Sequence, residues 1–421
     1  MTIDVNTHAI RTFRLSLVAA AVVATLGLQT TPEGSITWST ATAQEAVRGE
    51  VGRPLQAARD LIKGKRYSEA LAKLREADAV PNLTASEKFL IEQMRASAAL
   101  SAGDNGQAIK AIQALLASGR LPESQQAQYA GSLASLYYRE KDYREAAQWA
   151  GKALRSNPSD GAMRSLQISS YYQAGDFASA SREALEDVQA AEKAGRIPPE
   201  DRLQLLANIA SKTGDRAAYV AGIERLVAYY PKKKYWVDLL RRLESKPGFS
   251  NRLTLDLYRL RAATKTLDSP NEVVEMAQLA LQQKQAGEAK QVLDTAFASG
   301  LLGKGAEAER QKRLLALASE RAADAPNQLK QAEAEALAAS DGSDLVNIGL
   351  AYSGLGQHEK GIALMQQGIA KGKLKRADEA NLHLGIAYLR AGQKAKAQQA
   401  FKQVGGTDGT ADLARLWMRV A

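Results

Sequence analysis

The sequence predicts an all-α solenoid of antiparallel helix pairs, about ten repeats long. Three observations carry that expectation. The first is a recurring phrase, Gly/Lys-Asp-Tyr/Phe-x-x-Ala, seen best in Lys141-Asp142-Tyr143-Arg144-Glu145-Ala146 and Gly175-Asp176-Phe177-Ala178-Ser179-Ala180. Its last residue falls at 70, 108, 146, 180, 219, 361 and 397, with a weaker copy ending at Ala289. The steps are 38, 38, 34, 39, 70, 72 and 36, and the two long ones are each about twice 35. Two degenerate repeats are therefore expected near 254 and 325, and a period of this size marks a repeat array. The second observation is composition: Ala, Leu, Gln, Lys and Glu dominate, and no β-branched alternation is long enough for a strand. The third is apolar spacing, as in Ala130, Leu133, Ala134 and Tyr137, which places one stripe on one helix face.

The N-terminus comes first. Arg11 and Arg14 precede a 14-residue apolar run, Leu15 to Leu28, too short to span a bilayer comfortably. A small-x-small site, Ala41-Thr42-Ala43, follows, so residues 1–43 read as an export signal cleaved before Gln44. The alternative is an uncleaved inner-membrane anchor. Residues 1–43 carry Asp4, Glu33, Arg11 and Arg14, so their removal leaves the net charge at +10. Export predicts a periplasmic protein. With no Cys in the chain, disulfides, Cys-based metal sites, a thiol nucleophile and a lipidated Cys are all excluded.

After a linker at 44–53, the array runs over 54–406. Small residues stand where two helices must cross closely: Ala58, Ala96, Ala134, Ala207, Ala277, Gly349 and Gly385 on first helices, and Ala146 on a second one. Ile168 breaks the first set and Tyr219 the second. Thr84-Ala85-Ser86-Glu87 and Ser269-Pro270-Asn271-Glu272 read as capping boxes. The third repeat, with Ala130, Leu133, Ala134 and Tyr137 followed by Ala146, Ala150, Ala153 and Asn157-Pro158, resembles the tetratricopeptide repeat family. The family's Trp near the start of the first helix is missing throughout. The resemblance covers about residues 54 to 406 and implies a right-handed superhelix. Past the array, Leu413, Leu416, Trp417 and Val420 mark a helix over 407–421 that reads as a cap for the last repeat.

No catalytic constellation is visible, so the chain is expected not to be an enzyme and to need no cofactor or metal. His358 reads as a solvated turn residue and His383 as a helix-surface one. The Gly-Asp phrases lack the phosphate-loop pattern and follow helices.

The family resemblance implies a concave groove lined by first helices. Its positions would be Gln128, Ser135, Tyr138 and Arg139, then Ser165, Ser169, Tyr172 and Gln173, then Gln204, Asn208 and Lys212. These hydroxyls, amides and tyrosines suit an extended peptide or a glycan. A second candidate is the stretch from Pro231 to Lys265. It holds Lys232, Lys233, Lys234, Arg241, Arg242, Lys246, Arg252, Arg259, Arg261 and Lys265 against Asp238, Glu244 and Asp256, a local +7. In an exported protein such a patch would meet an acidic protein segment, a glycan or anionic lipid rather than nucleic acid. The function expected is that of an adaptor or scaffold in an envelope assembly such as secretion, pilus, polysaccharide export or a TonB-type system. A glycan- or lipid-binding protein and an accessory subunit of an envelope enzyme are the alternatives.

Overall fold

The computed structural model describes residues 28–30, 36–38 and 47–421. The predicted export signal and its cleavage site lie outside the described residues, apart from two short strands. These are Leu28–Thr30 (β1) and Ile36–Trp38 (β2), antiparallel, with Leu28 opposite Trp38 and Thr30 opposite Ile36. Among the described residues the rest of the regular structure is helical. The chain forms two compact units, Met1–Arg216 and Ala217–Ala421. The single array expected over 54–406 is thus divided at the helix that carries Tyr219.

In the first unit the helices are Gly49–Lys63 (α1), Tyr67–Asp78 (α2), Ala85–Ala102 (α3), Asn105–Ala117 (α4), Glu123–Arg139 (α5), Tyr143–Ser156 (α6), Gly161–Gln173 (α7), Phe177–Lys193 (α8) and Glu200–Thr213 (α9). Neighbours pack as pairs: α1 with α2, α3 with α4, α5 with α6, α7 with α8. The repeated phrase has a backbone meaning. Its Gly or Lys takes the left-handed conformation that ends the first helix: Gly103 at φ 74°, Lys141 at 64°, Gly175 at 77°. Glycine does this freely, while lysine pays a steric cost. The Asp then caps the second helix. Asp104, Asp142 and Asp176 accept hydrogen bonds from the amides of Gln107, Glu145 and Ser179 at 3.0, 3.2 and 3.0 Å. The Ala packs at the crossing, and Ala70, Ala108, Ala146 and Ala180 are wholly buried.

Thr84 and Glu87 form the expected capping box. Glu87 is buried and also holds the Arg48 side chain and backbone amide. The Arg48 guanidinium outweighs burial and, with the amides of Thr84 and Arg48, holds the Glu87 carboxyl down at about 2. Because the folded value lies below the ordinary 4.5, this contribution to stability is whole above about 4.5 and is lost as pH falls towards about 2. Glu87→Gln is expected to flatten the acid limb of a stability–pH curve followed by circular dichroism. An unchanged limb would mean the carboxylate is not coupled to folding.

In the second unit the helices are Arg216–Tyr229 (α10), Lys233–Glu244 (α11), Thr254–Ala263 (α12), Pro270–Gln282 (α13), Ala286–Ala298 (α14), Ala308–Ala338 (α15), Ser343–Gly354 (α16), His358–Lys371 (α17), Ala377–Arg390 (α18), Lys394–Lys402 (α19) and Thr410–Val420 (α20). The degenerate repeat expected near 254 is the α11–α12 pair. The one expected near 325 is not a pair but a single 31-residue helix, α15. No Gly interrupts residues 308–338, and no Asp cap stands where a second helix would start. Pro326 inside it removes one backbone donor without ending the helix. The Ser269 box also fails. Ser269 makes no side-chain cap, and Glu272 is drawn instead to Arg261.

The α16–α17 crossing is closed by glycines. An added Cβ on Gly349 would stand 2.5 Å from the Gly361 carbonyl oxygen, and one on Gly361 would stand 2.4 Å from that of Gly349. Helix α20 packs on α12, α18 and α19, with Leu413, Leu416 and Trp417 buried.

Candidate functional site

The groove positions sit on three first helices of the first unit, α5, α7 and α9. Two side-chain links join α7 to α9. The Tyr172 hydroxyl donates to Asn208 Oδ1 at 2.8 Å, and Arg202 Nη2 donates to Ser165 Oγ at 2.8 Å. Arg202 is itself buried and held by Asp187. The Lys212 ammonium lies 5.9 Å from the rings of both Tyr172 and Phe177, which meet edge to face. On α5, Tyr138 meets Tyr143 edge to face at 5.2 Å, and burial beside that ring pushes its phenol up. Gln128, Arg139, Gln173 and Lys212 are exposed, while Ser135, Ser169, Gln204 and Asn208 are half-buried. Ser135 and Ser165 donate back to the carbonyls of Gly131 and Gly161 within their own helices, which leaves their oxygens able to accept. The row thus has rigid rings at its centre and exposed donors at its edges.

The basic stretch is not the free patch that its local charge suggests. Arg259, counted there, is buried at 3% exposure and is removed from any surface. Arg252 pairs with Glu379 and Asp408, and Arg261 with Glu244 and Glu272. Arg242 pairs with Asp238 at 3.3 Å and stacks on Tyr219, whose hydroxyl also donates to Asp238. Lys233 pairs with Asp268 at 2.6 Å and Lys246 with Asp412 at 2.6 Å. Lys234 lies over the Tyr235 ring at 4.8 Å. Lys232 and Arg241 are exposed. Tyr235, Trp236 and Tyr258 are core residues.

A buried ionic network lies inside the second unit. The Arg259 guanidinium donates to Asp256 Oδ1 at 2.7 Å and to Glu288 Oε2 at 2.7 Å. Arg390 donates to Glu288 Oε1, and His383 Nε2 meets Asp256 Oδ1 at 2.9 Å. Burial alone would push both carboxyls up. For Asp256 that is outweighed by His383 and Arg259, and for Glu288 by Arg259 and Arg390, so both fall well below the usual carboxylate range. Burial opposes the Arg259 charge in the same way, and Glu288 and Asp256 outweigh it. His383 is therefore not the helix-surface residue expected. His358 is half-buried, with Nδ1 3.2 Å from Ser353 Oγ; burial and then Arg390 push its imidazole down. The network joins α12, α14 and α18 and ties these helices together, with Arg390 at its partly exposed edge. Among the described residues no group of three or more His, Asp or Glu is placed to hold a metal ion. No helix among them is long and apolar enough to cross a membrane.

A search of curated proteins finds no match to the sequence. Among solved structures, a tetratricopeptide repeat protein from Parabacteroides merdae is 12% identical, with 70% of this chain and 99% of that one covered and a TM-score of 0.22. The TPR2AB domain of yeast Sti1, in a complex with pHSP90, is 12% identical over 70% of this chain and 99% of that one, with a TM-score of 0.24. Yeast Tom70 is 11% identical over 87% and 94%, with a TM-score of 0.23. Scores this low leave the assignment to sequence. There the tetratricopeptide repeat family matches residues 94–161, 132–195 and 346–407. Those stretches hold α5 to α8 and α16 to α19, whose paired helices turn on left-handed residues at Lys141, Gly175, Gly356 and Gly392. By this match residues 94–195 and 346–407 are tetratricopeptide repeats.

Proposed function

We propose that the chain is a protein-binding scaffold that works in the periplasm as an adaptor in a cell-envelope assembly. The observation that carries protein binding is the row on α5, α7 and α9. Tyr172 and Asn208 are fixed to each other, and exposed Arg139 and Lys212 stand beside them. Fixed amides and hydroxyls suit the backbone of an extended segment, and the two cations favour an acidic one. The envelope setting rests on the Arg11 and Arg14 charges, the apolar run and the Ala41-Thr42-Ala43 site. Glycan or anionic lipid contact through 231–265 is less well supported, because most of its cations are already paired with carboxylates of the chain. Nucleic acid is not an expected partner, and no residue set supports catalysis.

The test is crosslinking in intact envelopes followed by identification of partners, for the wild type and for Tyr172→Ala with Lys212→Glu. Recovery of the main partner is expected to fall about tenfold or more, equivalent to about 1.4 kcal/mol. Circular dichroism checks that the fold is kept, since Lys212 is exposed but Tyr172 is half-buried. Full recovery from a folded variant would move recognition off this row. Retention on anionic liposomes without any protein partner would favour the lipid reading.

A further inference from the structure

Helices α13 and α15 of the second unit leave a cleft of about 280 Å³ between them. It lies outside 94–195 and 346–407, where one long helix stands in place of a pair. Each helix gives the cleft one stripe. Asn271, Val274 and Gln278 stand at i, i+3 and i+7 on α13, and Arg310, Leu314 and Leu317 at i, i+4 and i+7 on α15. Val274, Leu314 and Leu317 make its apolar wall, and Leu317 keeps 41% of its surface exposed. A large apolar side chain left open beside a cleft marks a place for another apolar group.

The polar groups narrow the occupant. Gln311 lines the cleft and is buried at 7% exposure. Its Oε1 accepts from the Gly303 amide at 2.7 Å, which leaves Nε2 a donor with no partner among the described residues. Such a donor calls for an acceptor, and a peptide carbonyl is one. Gln278 is exposed and offers a donor and an acceptor together, the two functions a peptide unit answers. Arg310 is paired with Glu307 at 3.3 Å. Arg313, also lining the cleft, is exposed and makes no ion pair among the described residues; Glu309, one turn before it, is held by Lys312 at 2.8 Å. The cleft residues include no aromatic ring to serve as a platform for a sugar. One open cation is also too few for a lipid surface or a nucleic acid.

Spacing sets the order of groups in the occupant. Arg313 and Leu317 are about 6 Å apart along the helix axis, and alternate residues of an extended strand are about 6.6 Å apart on one face. We propose that this cleft binds an extended segment of a partner protein that carries a large apolar residue and, two positions away, a carboxylate. The apolar side chain lies against Val274, Leu314 and Leu317, the carboxylate meets Arg313, and the backbone between them meets the amides of Gln278 and Gln311. The site is separate from the row on α5, α7 and α9 and stands or falls without it.

Fluorescence anisotropy of the full chain with labelled hexapeptides tests this. The probes are Ser-Gly-Leu-Ser-Asp-Ser, the same peptide with Lys for Asp, and the same peptide with Ala for Leu, both ends blocked so that no terminal charge contributes. The first is expected to bind with a Kd of about 0.1–1 mM and the other two about tenfold more weakly. Arg313→Glu should reverse the order of the Asp and Lys peptides, which loss of folding cannot do. Gln311→Glu keeps an acceptor for the Gly303 amide but puts a second acceptor where the donor was, and should weaken the first peptide about tenfold with circular dichroism unchanged. Tyr172→Ala with Lys212→Glu, on the first unit, should leave its binding as it is, so the two sites are scored apart. No binding of the first peptide, equal binding of all three, the wild-type order kept by Arg313→Glu, full strength in Gln311→Glu, or loss in the first-unit variant would each overturn the proposal.

Discussion

Arg259→Leu is expected to cost the second unit about 3–5 kcal/mol, because it strands Asp256 and Glu288 without their shared partner in a site closed to water. Both carboxylates lie under 4% exposure, and the guanidinium they share is at 3%. Taking out the cation leaves a second arginine, Arg390, on Glu288 but only His383 on Asp256. Replacing all three by apolar residues of similar volume should cost far less, since buried ion pairs roughly balance their own desolvation. Urea unfolding followed by tryptophan fluorescence separates these cases. Trp236 and Trp417 report on the second unit and Trp149 on the first. A loss under about 1 kcal/mol for the single variant would mean that water reaches the network.

Gly349→Ala should cost about 1–3 kcal/mol, a large effect for one methyl group. The new Cβ lands 2.5 Å from the Gly361 carbonyl oxygen and 2.5 Å from Met365 Cγ. Met365 can turn aside, but the carbonyl belongs to helix α17 and cannot, so α16 and α17 must separate. Gly161→Ala is the control. Nothing stands within 4 Å of its Cβ at the start of α7, and helix propensity there favours alanine. Thermal denaturation should lower the midpoint for the first variant and hold or raise it for the second. Equal shifts would remove close packing as the cause.

The fold was readable because the repeated phrase is made of local physics. A left-handed residue, a capping Asp and a small residue act within six positions, and each leaves a mark on composition. The same rules missed α15, because a missing turn leaves only the absence of a pattern. They also misread Ser269, where Glu272 follows the positive charge of Arg261 instead of the Ser269 amide. The basic stretch misled for a related reason. Its answering carboxylates, Glu288, Glu379 and Asp408, lie 29, 127 and 156 residues from the arginines they meet, outside any window of charge counting. His383 gave no sign of burial, since its partner Asp256 is 127 residues away. Phase assigned the candidate groove positions to first helices, but it could not show how those side chains are fixed. The bond from Tyr172 to Asn208 depends on one helix's angle to the next.

The long reach of those contacts sets an order of events during synthesis. In the first unit the ties between elements are short in sequence: 39 residues from Arg48 to Glu87, 37 from Arg202 to Ser165 and 36 from Tyr172 to Asn208. Each of its helix pairs can settle as soon as its successor has left the ribosome. The second unit cannot do this. Glu224 meets Arg415, Lys246 meets Asp412 and Arg252 meets Asp408, at separations of 191, 166 and 156 residues. Contacts of such high order wait on loop closure and form slowly. Helices α10 to α12 therefore remain without their final neighbours until residues 408–415 arrive. Through that interval their apolar faces are the ones most in need of a chaperone, and a chain cut before α20 would be left in that state.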